Sequence, residues 1–339
     1  MRPIVSRMST LTGRAAAPAL GKRALGVFCG LAAAAIWGGG AVVSRYLVTA
    51  NLGPADLTLL RYVGSFPVAL ALAFMMGDRM LIDIGWRRVA VLLLLGGPLY
   101  HALVIGGYQY ASAGGGALLL SGLLPIFAFG LSCTTSMEGL SRGRLAGAIA
   151  VLAGLALFGI GAGSAISLTG IGIFSVAAVT WAGLNEFVRR WQVDAFRLTI
   201  ALALFSPVFA PLYLLTGSAR IVTAPLPELL LQVTYHGWLV AIVATALFFA
   251  SVRLAGAQVA AVLQALSPGF SAILGAVILS EPLMLAQISG LVLVTVGVLL
   301  TTSGSSSAVP SGGRIIRGGS SGYAFLVGIA PRLKLNRWS

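Results

Sequence analysis

The sequence is poor in charge. Lys, Arg, Asp and Glu make up 9% of its 339 residues, against roughly 25% in a soluble domain, where they face water. With 58% hydrophobic residues and a mean hydropathy of +0.99, most of its surface must face lipid. Acid is scarcer still: 8 Asp and Glu stand against 22 Lys and Arg, a net charge of +14. In a soluble chain that balance would suggest nucleic acid. Here the cations sit in short loops and tails, so they set membrane topology and no nucleic-acid partner is expected. The two cysteines, Cys29 and Cys133, have no CxxC or metal-ligand spacing, and the two histidines lie far apart in sequence, so zinc chemistry has no basis. The spans hold no Ser/His/Asp set, no HExxH and no paired carboxylates, so an enzyme is not expected and no cofactor is implied. A Walker-type phosphate loop is missing, which removes ATP as this chain's energy source. No carboxylate sits securely at mid-membrane depth, where proton- and sodium-coupled pumps use one. Uniport or exchange is favoured over active pumping.

What is present is a series of apolar runs of about 20 residues, the length that crosses a ~30 Å hydrocarbon core. They fall near 24–46, 57–77, 89–109, 114–134, 144–163, 168–188, 197–216, 236–253, 258–280 and 285–303. The expected fold class is therefore all-α, a polytopic membrane protein of ten transmembrane helices. The first run is longer than a signal-peptide core and reads as a retained helix. Residues 222–235, "VTAPLPELLLQVTY", leave the start of the eighth helix open to an interfacial segment. Arg45 and Arg61 lie within spans. With the N-terminus inside, every other Lys and Arg except Arg220 falls on the inner side. So lopsided a distribution predicts a multi-pass protein of the cell (inner) membrane with both termini cytoplasmic. Both cysteines then lie towards the reducing side, and a disulfide is not expected.

The chain also repeats itself. In "LLLSGLLPIFAFGLSCTTSMEGL" (118–140) a proline interrupts an apolar run, and "AVLQALSPGFSAILGAVILSEPL" (261–283) does the same. Aligned without a gap, Pro125 falls on Pro268, Phe127 on Phe270, Leu131 on Leu274, Glu138 on Glu281 and Gly147 on Gly290, all at an offset of 143. "WGGGAVVSR" (37–45) matches "WAGLNEFVR" (181–189) at Trp, Gly and Arg with an offset of 144. Each copy holds five helices, an odd number, so the second inserts upside down relative to the first. Four parts are expected: a basic tail (1–23), a first repeat (24–163), a second repeat (164–303) and a flexible tail (304–339). Inverted repeats are a transporter signature, with the substrate near the midplane between them. A duplicated channel or structural membrane protein is the competing reading.

The ordered set resembles the drug/metabolite transporter superfamily, as a chain of two EamA-type domains. The residues that carry the resemblance are the Trp in the first helix of each half, "ASAGGGALLLSGLLP" and "AGAQVAAVLQALSP" before each proline, and the "MEGL" and "SEPL" turns. The helices "GAIAVLAGLAL" and "GLVLVTVGVLL" follow them. It covers roughly residues 24–303 and implies a ten-helix exporter of small metabolites with one central cavity. The amino-acid exporters, including the aromatic amino-acid exporter group, are the most similar. The Ser- and Gly-rich tail departs from that pattern and has linker composition.

Individual residues then stand out. A helical proline leaves the carbonyl four residues earlier without its partner; those residues are Ser121 and Gln264. Pro125 and Pro268 are candidate hinges that open polar backbone onto a cavity, or else kinks that improve packing. His101 lies about 12 Å deep at ~1.5 Å per residue, where a titratable ring marks a site. The alternative is a neutral ring bonded to one helix neighbour. Tyr100 beside it, and the matched Trp37 and Trp181, are candidate lining residues. Asn185 is one turn beyond Trp181. Arg61 either snorkels outwards or meets a substrate carboxylate. Glu186 is explained by an ion pair with Arg190, and the Gly147/Gly154 and Gly290/Gly297 pairs by helix packing. Small-molecule substrate and lipid are the expected partners, and ten helices suffice for a monomeric pathway.

Overall fold

The structure is a computed structural model that describes residues 20–50, 52–76, 84–136, 142–162, 166–215 and 220–303. Glu138, most of the basic tail and the whole of the 304–339 tail lie outside the described residues, as does the side chain of Cys133. Without water to satisfy it, backbone inside a membrane must bond to itself, and helices are the simplest solution. Among the described residues nine helices are long and apolar enough to cross. They are Gly21–Ala50, Pro54–Met75, Trp86–Gly107, Ala113–Leu131, Arg142–Gly161, Leu168–Trp191, Arg197–Leu215, Leu226–Ala255 and Gln258–Leu279. A shorter apolar helix, Leu285–Thr301, follows them. We number these spans 1 to 10. The stretch left open by sequence resolves into span 8: a short helix, Leu226–Gln232, runs directly into the rest of it.

The two halves interlock. Span 1 packs on spans 8 and 9, and its repeat counterpart, span 6, packs on spans 3 and 4. The most extensive pair is spans 5 and 10. Gly147 faces Gly297 and Gly154 faces Gly290, so these helices run in opposite directions with their backbones in contact. A Cβ on Gly147 or Gly297 would stand 2.7 Å from the other's carbonyl oxygen. Small residues let helices approach so closely, and dispersion then acts along the whole seam. Between the two glycine contacts lie Val151 and Val294, both fully buried and equivalent in the repeat.

Regular helix fails at four places among the described residues; in span 7 a 3-10 turn, Ser206–Phe209, carrying Pro207, separates Ala195–Phe205 from Ala210–Leu215. Span 3 is two helices, Trp86–Gly96 and Pro98–Gly107, hinged at Gly97, with Pro98 starting the second. Span 9 is likewise divided into Ala257–Gln264 and Ser267–Leu279, with Pro268 in the first turn of the second piece. Proline suits that position because the N–H it lacks has no partner there in any case. Span 8 carries a π-helix, Val233–Ala244. Pro125, by contrast, sits inside one unbroken helix, Ala113–Ser136. The two prolines aligned by the repeat therefore differ locally: one is absorbed by its helix, the other begins a new one.

Candidate substrate site

The break at Gly97 positions His101 one turn later. Gly97 donates its N–H to Leu93 O (2.8 Å), and its own carbonyl accepts from His101 N (3.2 Å). The same carbonyl lies 3.0 Å from His101 Nδ1. A carbonyl can only accept, so this contact is a hydrogen bond in the tautomer that carries its hydrogen on Nδ1. The Tyr62 hydroxyl lies 2.8 Å from the same Nδ1; it accepts in that tautomer and donates in the other. The helix-neighbour bond anticipated as the alternative for His101 is thus present, but it does not occupy the ring: Nε2 has no hydrogen-bond partner among the described residues.

Around this imidazole the rings form a chain. Tyr62 meets His101 edge-on at 5.6 Å, and Tyr100 meets it edge-on at 5.0 Å. Tyr100 then lies 4.5 Å from Trp181 at a 32° tilt. Spans 2, 3 and 6 each contribute, so the chain bridges the two repeats. Arg61 precedes Tyr62 and lies within electrostatic range of Tyr62, Tyr100, His101 and His236. No carboxylate among the described residues forms an ion pair with it. Arg61 and His101 are deep in their spans yet only half-buried. Arg61 is about 10 Å and His101 about 9 Å from the end of its span, at ~1.5 Å per residue.

On the other side the π-helix of span 8 supplies His236, which is buried. Its Nε2 is 3.2 Å from Ser44 Oγ, and its Nδ1 is buried without a partner. The run "WGGG" at 37–40 makes room for this helix. A Cβ on Gly39 would fall 2.0 Å from the Tyr235 hydroxyl, which donates to Ile36 O at 3.1 Å.

Of the residues singled out by sequence, the structure brings Arg61, Tyr100, His101 and Trp181 together. Trp37 packs elsewhere, 5.5 Å from Phe248 and among Ala33, Ala244 and Ala260. Its position still mirrors that of Trp181, because each Trp rests on the third helix of the opposite repeat. Asn185 is half-buried, four residues past Trp181, and forms no hydrogen bond among the described residues. Ser121 and Gln264 are also half-buried, without side-chain hydrogen bonds among those residues, and neither joins the ring chain. Tyr62 and His236 complete the site unheralded. In the sequence His236 stands at the edge of the eighth apolar run (236–253); joining Leu226–Gln232 to that run places it far inside span 8.

A second polar group closes one end of the bundle. Glu281, in the turn between spans 9 and 10, accepts from Ala113 N at 2.9 Å, at the start of span 4. Arg45 Nε lies 3.5 Å from the same carboxylate. Arg45 also donates to the carbonyls of Tyr108 (2.5 Å) and Gln109 (3.3 Å). Burial pushes the Glu281 carboxyl up from its ordinary value, against the pull of the Ala113 N–H and Arg45. At the opposite face Glu186 binds Arg189 (2.8 Å) and Arg190 (2.6 Å).

The model of a family described as the EamA-like transporter family matches residues 24–160 and again residues 167–303. No curated protein matches the sequence. A solved structure, titled only as the crystal structure of a protein, superposes with a TM-score of 0.54. It is 19% identical, over 83% of this chain and 97% of that one, a likeness in fold alone.

Proposed function

From the premise that the chain belongs to the EamA-like transporter family, and so is a membrane transporter of the drug/metabolite superfamily, we propose that it exports small metabolites, foremost amino acids, by alternating access. The observation that supports this reading is the group formed by Arg61, Tyr62, Tyr100, His101 and Trp181. It joins spans from both repeats and combines apolar ring faces with a few convergent polar groups, the usual form of a small-molecule site. A guanidinium suits a substrate carboxylate, and the faces of Tyr100 and Trp181 suit an apolar or aromatic side chain. Asn185, Ser121, Gln264 and Trp37 belong to the wider lining of the pathway in this reading, with Pro125 and Pro268 as the points about which it flexes. The transport mode is uniport or exchange by a monomer in the inner membrane, with both termini cytoplasmic.

The test is counterflow with purified protein in liposomes. Trapped unlabelled amino acid should drive transient, saturable accumulation of labelled amino acid outside its equilibrium level. A channel gives flux without counterflow, and that result would replace alternating access by the channel reading.

A further inference from the structure

Building on that proposed central site, we infer that it is an anion site: it recognises the carboxylate of its substrate and gains nothing from an amino group. The substrate class that follows is wider than amino acids and includes aryl- and alkyl-carboxylates that lack the amine.

The position of every acid in the chain leads there. Asp78, Asp83 and Glu138 fall between spans in the sequence. Asp56, in the first turn of span 2, accepts from the Tyr213 hydroxyl (2.6 Å) and from Gly53 N (2.8 Å). Glu186 is held by two arginines, and Asp194 caps a helix by accepting from Arg197 N at 2.9 Å. Glu228 lies in the first turn of span 8, and Glu281 is engaged by Arg45 and Ala113 N. That accounts for all 8 acids, and none ion-pairs with Arg61 among the described residues.

A cation so deep among apolar helices is costly unless an opposite charge compensates it. The described residues supply none, so the substrate is the natural source, and the planar fork of Arg61 matches two carboxylate oxygens. The remaining polar groups, tyrosines and histidines, carry no negative charge. Tyrosine hydroxyls, His101 Nε2 and the unpartnered His236 Nδ1 can each form one more hydrogen bond. They can bond to an ammonium, and at most these bonds offset its repulsion from Arg61. An α-amino group therefore enters the pocket at a disadvantage that these bonds only return to even.

Three probes that share one ring separate the charges: phenylalanine, 3-phenylpropanoate and phenethylamine, each as competitor in the counterflow assay on the full chain. We expect 3-phenylpropanoate to compete as well as phenylalanine or up to tenfold better, and phenethylamine at least tenfold worse. Arg61→Gln should remove the advantage of the two carboxylates over the amine, and Arg61→Lys should restore part of it; the wild-type ranking stands as a readout even if a variant folds poorly. Phenylalanine counterflow with 3-phenylpropanoate inert would overturn the anion inference while leaving the amino-acid site intact. Carboxylate preference that survives in a folded Arg61→Gln would also overturn it. If neither carboxylate nor amino acid supports counterflow, the central site itself fails as the substrate site.

Discussion

Gly154 and Gly290 meet so closely that a Cβ on Gly154 would lie 2.8 Å from the Gly290 carbonyl oxygen, and one on Gly290 2.6 Å from that of Gly154. The repeat alignment places Gly147 on Gly290 and Gly154 on Gly297. The contact 147–297 therefore exchanges with the contact 290–154 when the two halves are swapped. A pairing that maps onto itself in this way is what a two-fold relation between inverted helices produces. Gly154→Leu or Gly290→Leu should force spans 5 and 10 apart. The obstacle in each case is backbone, which cannot rotate aside, so the loss is expected to reach or exceed the ~1–3 kcal/mol of ordinary overpacking. Thermal unfolding in detergent reads it as a lowered Tm. Gly159→Leu on the same span meets nothing within 4 Å and should leave the Tm unchanged.

The turn carrying Glu281 and the loop carrying Arg142 are expected on opposite sides of the membrane. In a Cys29→Ala/Cys133→Ala background, a cysteine at Met284, which is 58% exposed, should react with an impermeant thiol reagent added outside intact cells. A cysteine at Arg142 should react only after permeabilisation. The reverse pattern would invert the orientation read from the positive charges.

Pro125 and Pro268 align in sequence but differ in setting, and their variants should differ too. Pro125→Ala restores a bond inside a continuous helix, where proline costs about 3 kcal/mol, so it should raise the Tm and slow exchange. Pro268→Ala acts at a first turn and should change stability little. By allowing Ala257–Gln264 to join Ser267–Leu279 into one helix, it should still slow exchange. Both variants exchanging at the wild-type rate would remove the hinge role.

Those prolines also mark where sequence stops speaking for structure. The span pattern, the duplication and the glycine seam are all written in composition and spacing, because lipid imposes them segment by segment. "GGPLYH" (96–101) contains the break in span 3, yet the Gly-Pro pair is also compatible with a continuous kinked helix; only packing of Gly97 against the preceding turn decides. The π-helix of span 8 has no local signature either. Its Tyr235 and His236 lodge over Gly39 and Gly40 of span 1, roughly two hundred residues away in sequence, so it is a product of tertiary fit. That is why His101 stands out from the sequence and His236 does not, although both lie within electrostatic range of Arg61.

Removing the Arg45–Glu281 link should loosen the end of the bundle more than it destabilises the whole. Arg45 and Glu281 keep part of their surface accessible, and pairs in such settings contribute about 1 kcal/mol or less. Glu281→Gln keeps an acceptor for Ala113 N but drops the charge. Faster hydrogen exchange at the start of span 4 and in the turn at 280–284, with an almost unchanged Tm, is the expected result. Uniform protection in the variant would show that the ion pair does not hold these segments.

The ring chain makes the sharpest demand on the site. His101 is tied by Nδ1 to Gly97 O and Tyr62, and Tyr100 links it to Trp181. Losing one link should therefore disturb the others. Aromatic pairs contribute about 0.5–1.5 kcal/mol beyond their buried area. Since 1.4 kcal/mol is tenfold in affinity, His101→Ala and Trp181→Ala should each weaken substrate binding by up to about tenfold, and Tyr62→Phe by somewhat less. Trp37→Ala removes a ring that packs on Phe248 outside this chain, so its loss should appear mainly as a lowered Tm. Val292 is 58% exposed on span 10, and Val292→Ala should affect neither quantity. Equilibrium binding and counterflow on monodisperse preparations distinguish these outcomes. If His101→Ala and Trp181→Ala were both silent while Trp37→Ala abolished binding, the substrate would lie against spans 1 and 8, and the site would move to the opposite repeat.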